Sequence, residues 1–217
     1  MTNTQAHENK VITVLLVDDH PMVQSGLSAC LSFYHDVKVI GNVNDGQYAL
    51  EKAVELQPDV ILMDISMPTL NGIDATEIIT EQLENSKVLI FSMHNNLEFV
   101  TSAIQAGASG YILKDTSSEE VYYAIKAVAS GKKHYSSSIT QMLIENPVRE
   151  GSAKLTTREQ LVLAYIAKGL SSKEIANELF ISFRTVEAHR RNIKSKMKID
   201  TLAALIRYAV NYGLEGN

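Results

Sequence analysis

Along the first two thirds of the chain, apolar positions follow two alternating rhythms. Short apolar and β-branched runs at Ile12–Val17, Val37–Val43, Val60–Met63, Lys87–Met93 and Gly110–Lys114 read as strands. Between them, apolar side chains recur every three or four residues, predicting helices over Pro21–Phe33, Asp45–Leu56, Ile73–Leu83, Leu97–Ala106 and Glu119–Ala129. The first helix would bury Met22, Val23, Leu27, Cys30 and Leu31, and the second Tyr48, Ala49, Ala53, Val54 and Leu56. Pro58 closes the second helix, Gly107 and Gly131 stand where later helices end, and Thr116-Ser-Ser-Glu119 has the form of a capping box. Five successive β-α units predict a doubly wound α/β fold, a five-stranded parallel sheet with helices on both faces.

From Ser136 to Lys154 the pattern lapses into Ser, Pro and Gly with one apolar patch, Ile139–Glu145, long enough for a turn or two of helix. Beyond it only the helical period remains, over Thr157–Lys168, Ser172–Phe180, Phe183–Met197 and Thr201–Tyr212. Capping boxes at Thr156-Thr-Arg-Glu159 and Ser171-Ser-Lys-Glu174 open the first two, and Ser182 and Asp200 are placed to cap the others. The first of these helices would bury Leu161, Val162, Tyr165 and Ile166. A short helix, a tight turn and a longer helix form a helix-turn-helix candidate inside an all-α, four-helix domain. The expected division is 10–133 for the α/β domain, 134–153 for a linker and 154–217 for the helical domain.

Charge sharpens that division. Residues 1–135 hold 8 Lys+Arg and 17 Asp+Glu, net −9, and residues 136–217 hold 12 and 8, net +4, which together give the net −5 of the 217-residue chain. An acidic half joined to a basic half suggests two partners, nucleic acid being the natural one for the second. With 45% hydrophobic and 21% charged residues the chain is globular rather than disordered. Its one cysteine, Cys30, excludes an internal disulfide and fits a reducing cytosol. No apolar run approaches the roughly 18 residues of a membrane span, so a cytoplasmic chain without signal peptide or anchor is expected.

Chemistry collects at the strand ends. Asp18 and Asp19 follow the first strand, Asp64 the third, Ser92 lies at the end of the fourth and Lys114 at the end of the fifth. Ligands of open α/β sheets bind outside the carboxyl ends of the strands. A single Asp there is ordinarily a turn cap, but three carboxylates brought together disfavour each other's ionised form. A hard divalent cation, Mg²⁺ above all, would relieve that repulsion. Acids, a hydroxyl and an ammonium together suit uptake of a phosphoryl group.

Asp18-Asp19, Asp64-x-x-Met67-Pro68-x-x-x-Gly72, Ser92 and Lys114 resemble the receiver domain of bacterial two-component response regulators, over roughly residues 10–133. That resemblance implies the strand order 2-1-3-4-5 and makes Asp64 the acceptor of a phosphoryl group from a sensor histidine kinase. Asp19 would hold Mg²⁺ directly, Asp18 through water, with Asp64 and the main-chain carbonyl of Ser66 completing the protein ligands. Lys114 would pair with phosphoryl oxygens and Ser92 would move to hydrogen-bond them. Tyr111, otherwise a packed strand aromatic, would be a switch residue whose ring turns inward with Ser92. Ser66 and His94, close to Asp64 and Ser92, occupy places that tune how long the phosphoryl group lasts.

In the basic half, helix 183–197 and its end carry Arg184, Arg190, Arg191, Lys194, Lys196 and Lys198 against Glu187 alone. LTTRE from Leu155, KEIANEL, ISFRTVEAH and NIKSKM resemble the LuxR-type DNA-binding domain of the NarL/FixJ response regulators, over about 155–212. By that resemblance Phe183–Met197 enters the major groove, Glu187, Ala188 and Arg191 face base edges, and Arg184, Arg190, Lys194 and Lys196 contact phosphates. The family commonly has Lys where this chain has Glu187, so base preference is not carried over. A phosphorylation-controlled, homodimeric transcription regulator is implied, with promoter DNA and a sensor kinase as partners and RNA polymerase as a candidate third. The apolar face Leu202, Leu205, Ile206, Ala209 offers a dimer contact. The competing class is an enzyme: a Mg²⁺-dependent phosphohydrolase would want a second acid at Ser66, and a flavin binder a phosphate-cradling loop where Asp18-Asp-His-Pro-Met-Val23 stands.

Overall fold

Strands β1 (Ile12–Val17), β2 (Val37–Val43), β3 (Val60–Met63), β4 (Lys87–Ser92) and β5 (Gly110–Leu113) form where the apolar runs predict, all parallel. They belong to a computed structural model that describes residues 10–146, 155, 157–179, 181, 183–199 and 201–211. Two compact units divide within residues 142–143.

In the first unit the sheet order is β2-β1-β3-β4-β5-β6, so the expected order holds and a sixth strand, β6 (His134–Tyr135), is added beside β5. Two residues carry no alternation that could have announced β6. Gly110 makes the pairing possible, since a Cβ there would lie 2.4 Å from the His134 carbonyl oxygen. The chain continues into helix α6 (Ser137–Glu145), so residues at the start of the expected linker are ordered.

Alternate strand side chains point to opposite faces. Val14, Leu16, Val60, Leu62, Leu89, Phe91 and Ile112 meet Leu31 of α1 (Pro21–Leu31) and Val121, Ala124, Ile125 and Val128 of α5 (Ser118–Ala129) in one cluster. Helices α2 (Gly46–Leu56), α3 (Gly72–Gln82) and α4 (Leu97–Gln105) pack in succession along the other face, which β1, β3 and β4 line with Leu15, Val17, Ile61, Met63 and Ile90. Helical periodicity overreached in places: Met22 is 84% exposed, Tyr48 60% and Val54 50%, leaving Ala49 and Ala53 as the buried face of α2. The capping box of α5 is also shifted by one residue. Ser117 Oγ accepts from Glu120 N at 3.2 Å, and the Thr116 hydroxyl donates to the Glu120 carboxylate. Overlapping Ser-x-x-Glu patterns in Thr116–Glu120 made the two registers indistinguishable by sequence.

The second unit comprises α7 (Thr157–Ala167), α8 (Ser172–Leu179), α9 (Phe183–Met197) and α10 (Leu202–Asn211) among its described residues. α7 packs on α9 and α10, and α8 on α9, around Val162, Leu163, Ile166, Ile175, Val186, Ile193 and Leu205. Leu161 is 40% exposed and Tyr165 half-buried, whereas Leu163 takes the core place. The box at Ser171 holds: Glu174 Oε2 accepts from Ser171 N at 2.8 Å, and Glu174 N donates to Ser171 Oγ at 3.4 Å. Thr201 Oγ1 accepts from Ala204 N at 3.2 Å and caps α10. The proposed caps Thr156, Ser182 and Asp200 lie outside the described residues.

Candidate functional site

Strand register brings the chemistry together. Val17 stands beside Met63, Met63 beside Ile90 and Ser92 beside Leu113, so Asp18, Asp64, Ser92 and Lys114 leave the sheet along one rim. Ladder-like bonds continue into them, from Asp64 N to Val17 O at 2.8 Å and from Lys114 N to Ser92 O at 2.9 Å. Gly72 packs against the Asp64 main chain so closely that a Cβ would stand 1.8 Å from the Asp64 carbonyl oxygen. Only glycine fits there, and Gly72 N donates to Ile65 O at 2.9 Å to close the loop after β3.

Lys114 Nζ lies 2.7 Å from Asp18 Oδ2 and 2.9 Å from Asp64 Oδ2, all three side chains being more than nine-tenths buried. Beyond that ammonium neither oxygen has a hydrogen-bond partner among the described residues. Two carboxylates thus share one cation. Burial, together with the neighbouring Asp18, pushes Asp64 above the ordinary carboxylate range against the pull of Lys114. Burial disfavours the Lys114 charge too, but hydrogen bonds to Asp18 and Asp64 outweigh it and raise Lys114, which stays protonated. Ile65 N donates to Asp64 Oδ1 at 2.7 Å and orients the acid.

Asp19, 30% exposed at its side chain, stands beside this pair. One ligand atom each from Asp18, Asp19, His20 and Asp64 lie within 4.8 Å of one another. Three hard carboxylates at that spacing fit a divalent cation such as Mg²⁺. His20, His94 and His189 stand in three different settings with no pair at metal-ligand spacing on one helix, so none is an expected ligand from the sequence. The Nδ1 of His20 is nevertheless 2.6 Å from Asp19 Oδ1 and 3.3 Å from Asp18 Oδ1, and its adjacency to the Asp pair was the available signal.

Ser92 is fully buried and its Oγ accepts from His94 N at 3.2 Å. The Tyr111 ring is also fully buried, with its hydroxyl donating to the His94 carbonyl at 2.7 Å; burial raises its pKa. Ser66 Oγ and His94 Nε2 meet at 2.7 Å, and the imidazole stacks on Phe99 at 4.2 Å between ring centroids.

On α9 the charged residues have unlike surroundings. Glu159 of α7 is buried, and both its oxygens accept from Lys196 Nζ at 2.7 and 2.8 Å, so this lysine is tied to a structural partner. The Arg190 side chain is 18% exposed, donates to Ser172 Oγ at 2.8 Å and stands 3.9 Å from Glu187 Oε1. Glu187 is 48% exposed at its side chain, Arg191 is exposed and Lys194 half-exposed. The side chains of Arg184 and Ala188 lie outside the described residues. Leu205, offered above as part of a dimer face, is fully buried within its own unit and Ile206 half-buried; the side chains of Leu202 and Ala209 lie outside the described residues. The face at Leu205 therefore covers the domain's own core, because α10 lies against α7.

Among the described residues no helix is long and apolar enough to cross a membrane. A family model described as the response regulator receiver domain matches residues 14–126, and one described as bacterial regulatory proteins, luxR family, matches residues 153–209. The transcriptional regulatory protein MctR of Rhizobium johnstonii is 44% identical over 207 residues, covering 95% of this chain and 97% of its own. The crystal structure of the response regulator ChrA from a heme-sensing two-component system is similar with a TM-score of 0.53 and 30% identity, over 95% of this chain and 99% of that one. A structure of two RcsB dimers bound to two parallel DNAs is similar with a TM-score of 0.58 and 25% identity, over 91% and 96%.

Proposed function

Because the chain belongs to the response regulators that join a receiver domain to a LuxR-type DNA-binding domain, we propose that it is a phosphorylation-controlled transcription factor with Asp64 as acceptor. The domains are 10–133 and 154–217, joined through 134–153, of which the first stretch, β6, pairs into the receiver sheet. The observation that carries this reading is the buried trio Asp18, Asp64 and Lys114 at aligned strand ends, where two acids share one ammonium. An Asp64 carboxylate oxygen attacks the phosphorus of a sensor kinase's phosphohistidine, the N–P bond breaks and an acyl phosphate forms. Lys114 faces the oxygens that gain charge in that step.

Asp18, Asp19 and Asp64 with the Ser66 carbonyl would hold Mg²⁺, which when bound neutralises phosphoryl oxygens and the acids' mutual repulsion. Phosphorylation would add an acceptor for the Ser92 hydroxyl and so bias the segment Ser92–His94, to which Tyr111 is bonded through His94. A change there is read by the second domain as dimerisation on promoter DNA, with half-sites about one duplex turn, roughly 34 Å, apart. The RcsB dimers on DNA support the dimeric reading, while burial of Leu205 within its own unit removes that side chain from a dimer contact.

Incubating the chain with Mg²⁺ and a small phosphodonor, then weighing the intact protein, tests the chemistry. One added phosphoryl group on the wild type and none on Asp64→Asn is expected. Equal labelling of both proteins would reject Asp64 as acceptor.

A further inference from the structure

Ser172 opens α8, yet its hydroxyl serves α9. It donates to Glu187 Oε1 at 2.5 Å and accepts from Arg190 Nη1 at 2.8 Å, and the residue is 8% exposed. The helix start does not need this hydroxyl, because Ser171 supplies the cap and Glu174 closes the box. Alanine would suit the first turn of α8 at least as well. A buried hydroxyl bridging two charged side chains of the neighbouring helix does something else: it fixes where they point.

We infer that Ser172 is a positioning residue for base recognition, resting on the reading of α9 as the groove helix. Its bond to Oε1 pins one oxygen of a half-exposed carboxylate, and Oε2 takes no hydrogen bond among the described residues. That second oxygen is the acceptor offered to an exocyclic amino group in the major groove, the N4 of cytosine. The same hydroxyl holds the Arg190 guanidinium beside Glu187, and this positive charge offsets the repulsion a lone carboxylate would meet between phosphates. Arg190 thus acts through Glu187 as much as on the DNA backbone. Without the bridge, Glu187 regains its rotamers and the acceptor is no longer presented in one place.

The test is selection from a randomised duplex pool by the full-length chain with a small phosphodonor, using wild type, Glu187→Ala, Ser172→Ala and Ser172→Thr. Wild type should enrich a motif containing one C·G pair whose preference Glu187→Ala loses. Ser172→Ala should lose about tenfold of the preference at that same pair, the size of one good base contact. The other positions should stay selected, and Ser172→Thr, which keeps a hydroxyl, should retain the preference. Undiminished preference at that pair in Ser172→Ala, or an equal loss at every pair, would overturn the inference. A wild-type chain that enriches no motif would instead overturn the DNA reading on which it rests.

Discussion

The receiver rim and the core of the DNA-binding domain each bury carboxylates, and they treat them in opposite ways. At the rim, Asp18 and Asp64 are both 3% exposed and share a single lysine, with Asp19 close by. In the second domain the one carboxylate of Glu159 is 1% exposed and takes two bonds from its own lysine, Lys196. A buried carboxylate that has a cation to itself completes a structure. Acids that outnumber their cation keep an attraction for further positive charge, and that surplus is what a phosphoryl-accepting, cation-binding site requires.

The largest expected effect comes from removing the surplus. Asp64→Asn should abolish phosphoryl acceptance, read by intact mass, while stabilising the receiver by about 1 kcal/mol in denaturant unfolding, because a strained ionised group is lost. Destabilisation by the same substitution would mean that Asp64 is as well matched as Glu159. Lys196→Met should do the reverse, costing about 3 kcal/mol of stability in the second domain by removing the ammonium to which both Glu159 oxygens are bonded. Adding Glu159→Gln to it should recover most of that loss; no recovery would show that the lysine acts through packing alone.

A smaller effect concerns pH. Asp64 is held above the ordinary carboxylate range, chiefly by burial. A folded-state value above the unfolded one contributes stability below the unfolded pKa, about 3.9, and that contribution is lost as pH rises through the folded value. The gain from Asp64→Asn should therefore be greatest near neutrality and fade in acid, where wild-type phosphoryl acceptance also declines because the nucleophile is protonated. A gain independent of pH would contradict the assignment. The smallest effect is expected at Lys194, where Ala should leave folding intact and reduce the salt dependence of DNA binding by about one unit of slope. Lys196→Met, its charge already used by Glu159, should change the slope less than Lys194→Ala does.

The receiver half of this contrast was legible in the chain itself. Asp18, Asp64, Ser92 and Lys114 each sit where an apolar run stops, and in a parallel sheet those stops align, so their convergence followed from pattern alone. β6 was not legible, because a two-residue strand has no period, and its pairing depends on Gly110 lying against His134. Nor were the surroundings of α9. A helical period marks which face of α9 is apolar, but the partners of Lys196 and Glu187 lie 37 and 15 residues away on other helices. His20 meets the acids by a related route: its ring bends back to Asp19 through the β1–α1 turn, and its place in the chain next to the Asp pair was the one signal of it.

Coupling between the rim and the basic helix is tested most directly by measuring promoter-fragment affinity of wild type and Asp64→Asn, each with and without Mg²⁺ and a small phosphodonor. The wild type should bind at least about fivefold more tightly with the donor, within the usual range of allosteric coupling, and the variant should not respond. Equal affinities in all conditions, or an equal response from the variant, would contradict phosphorylation control.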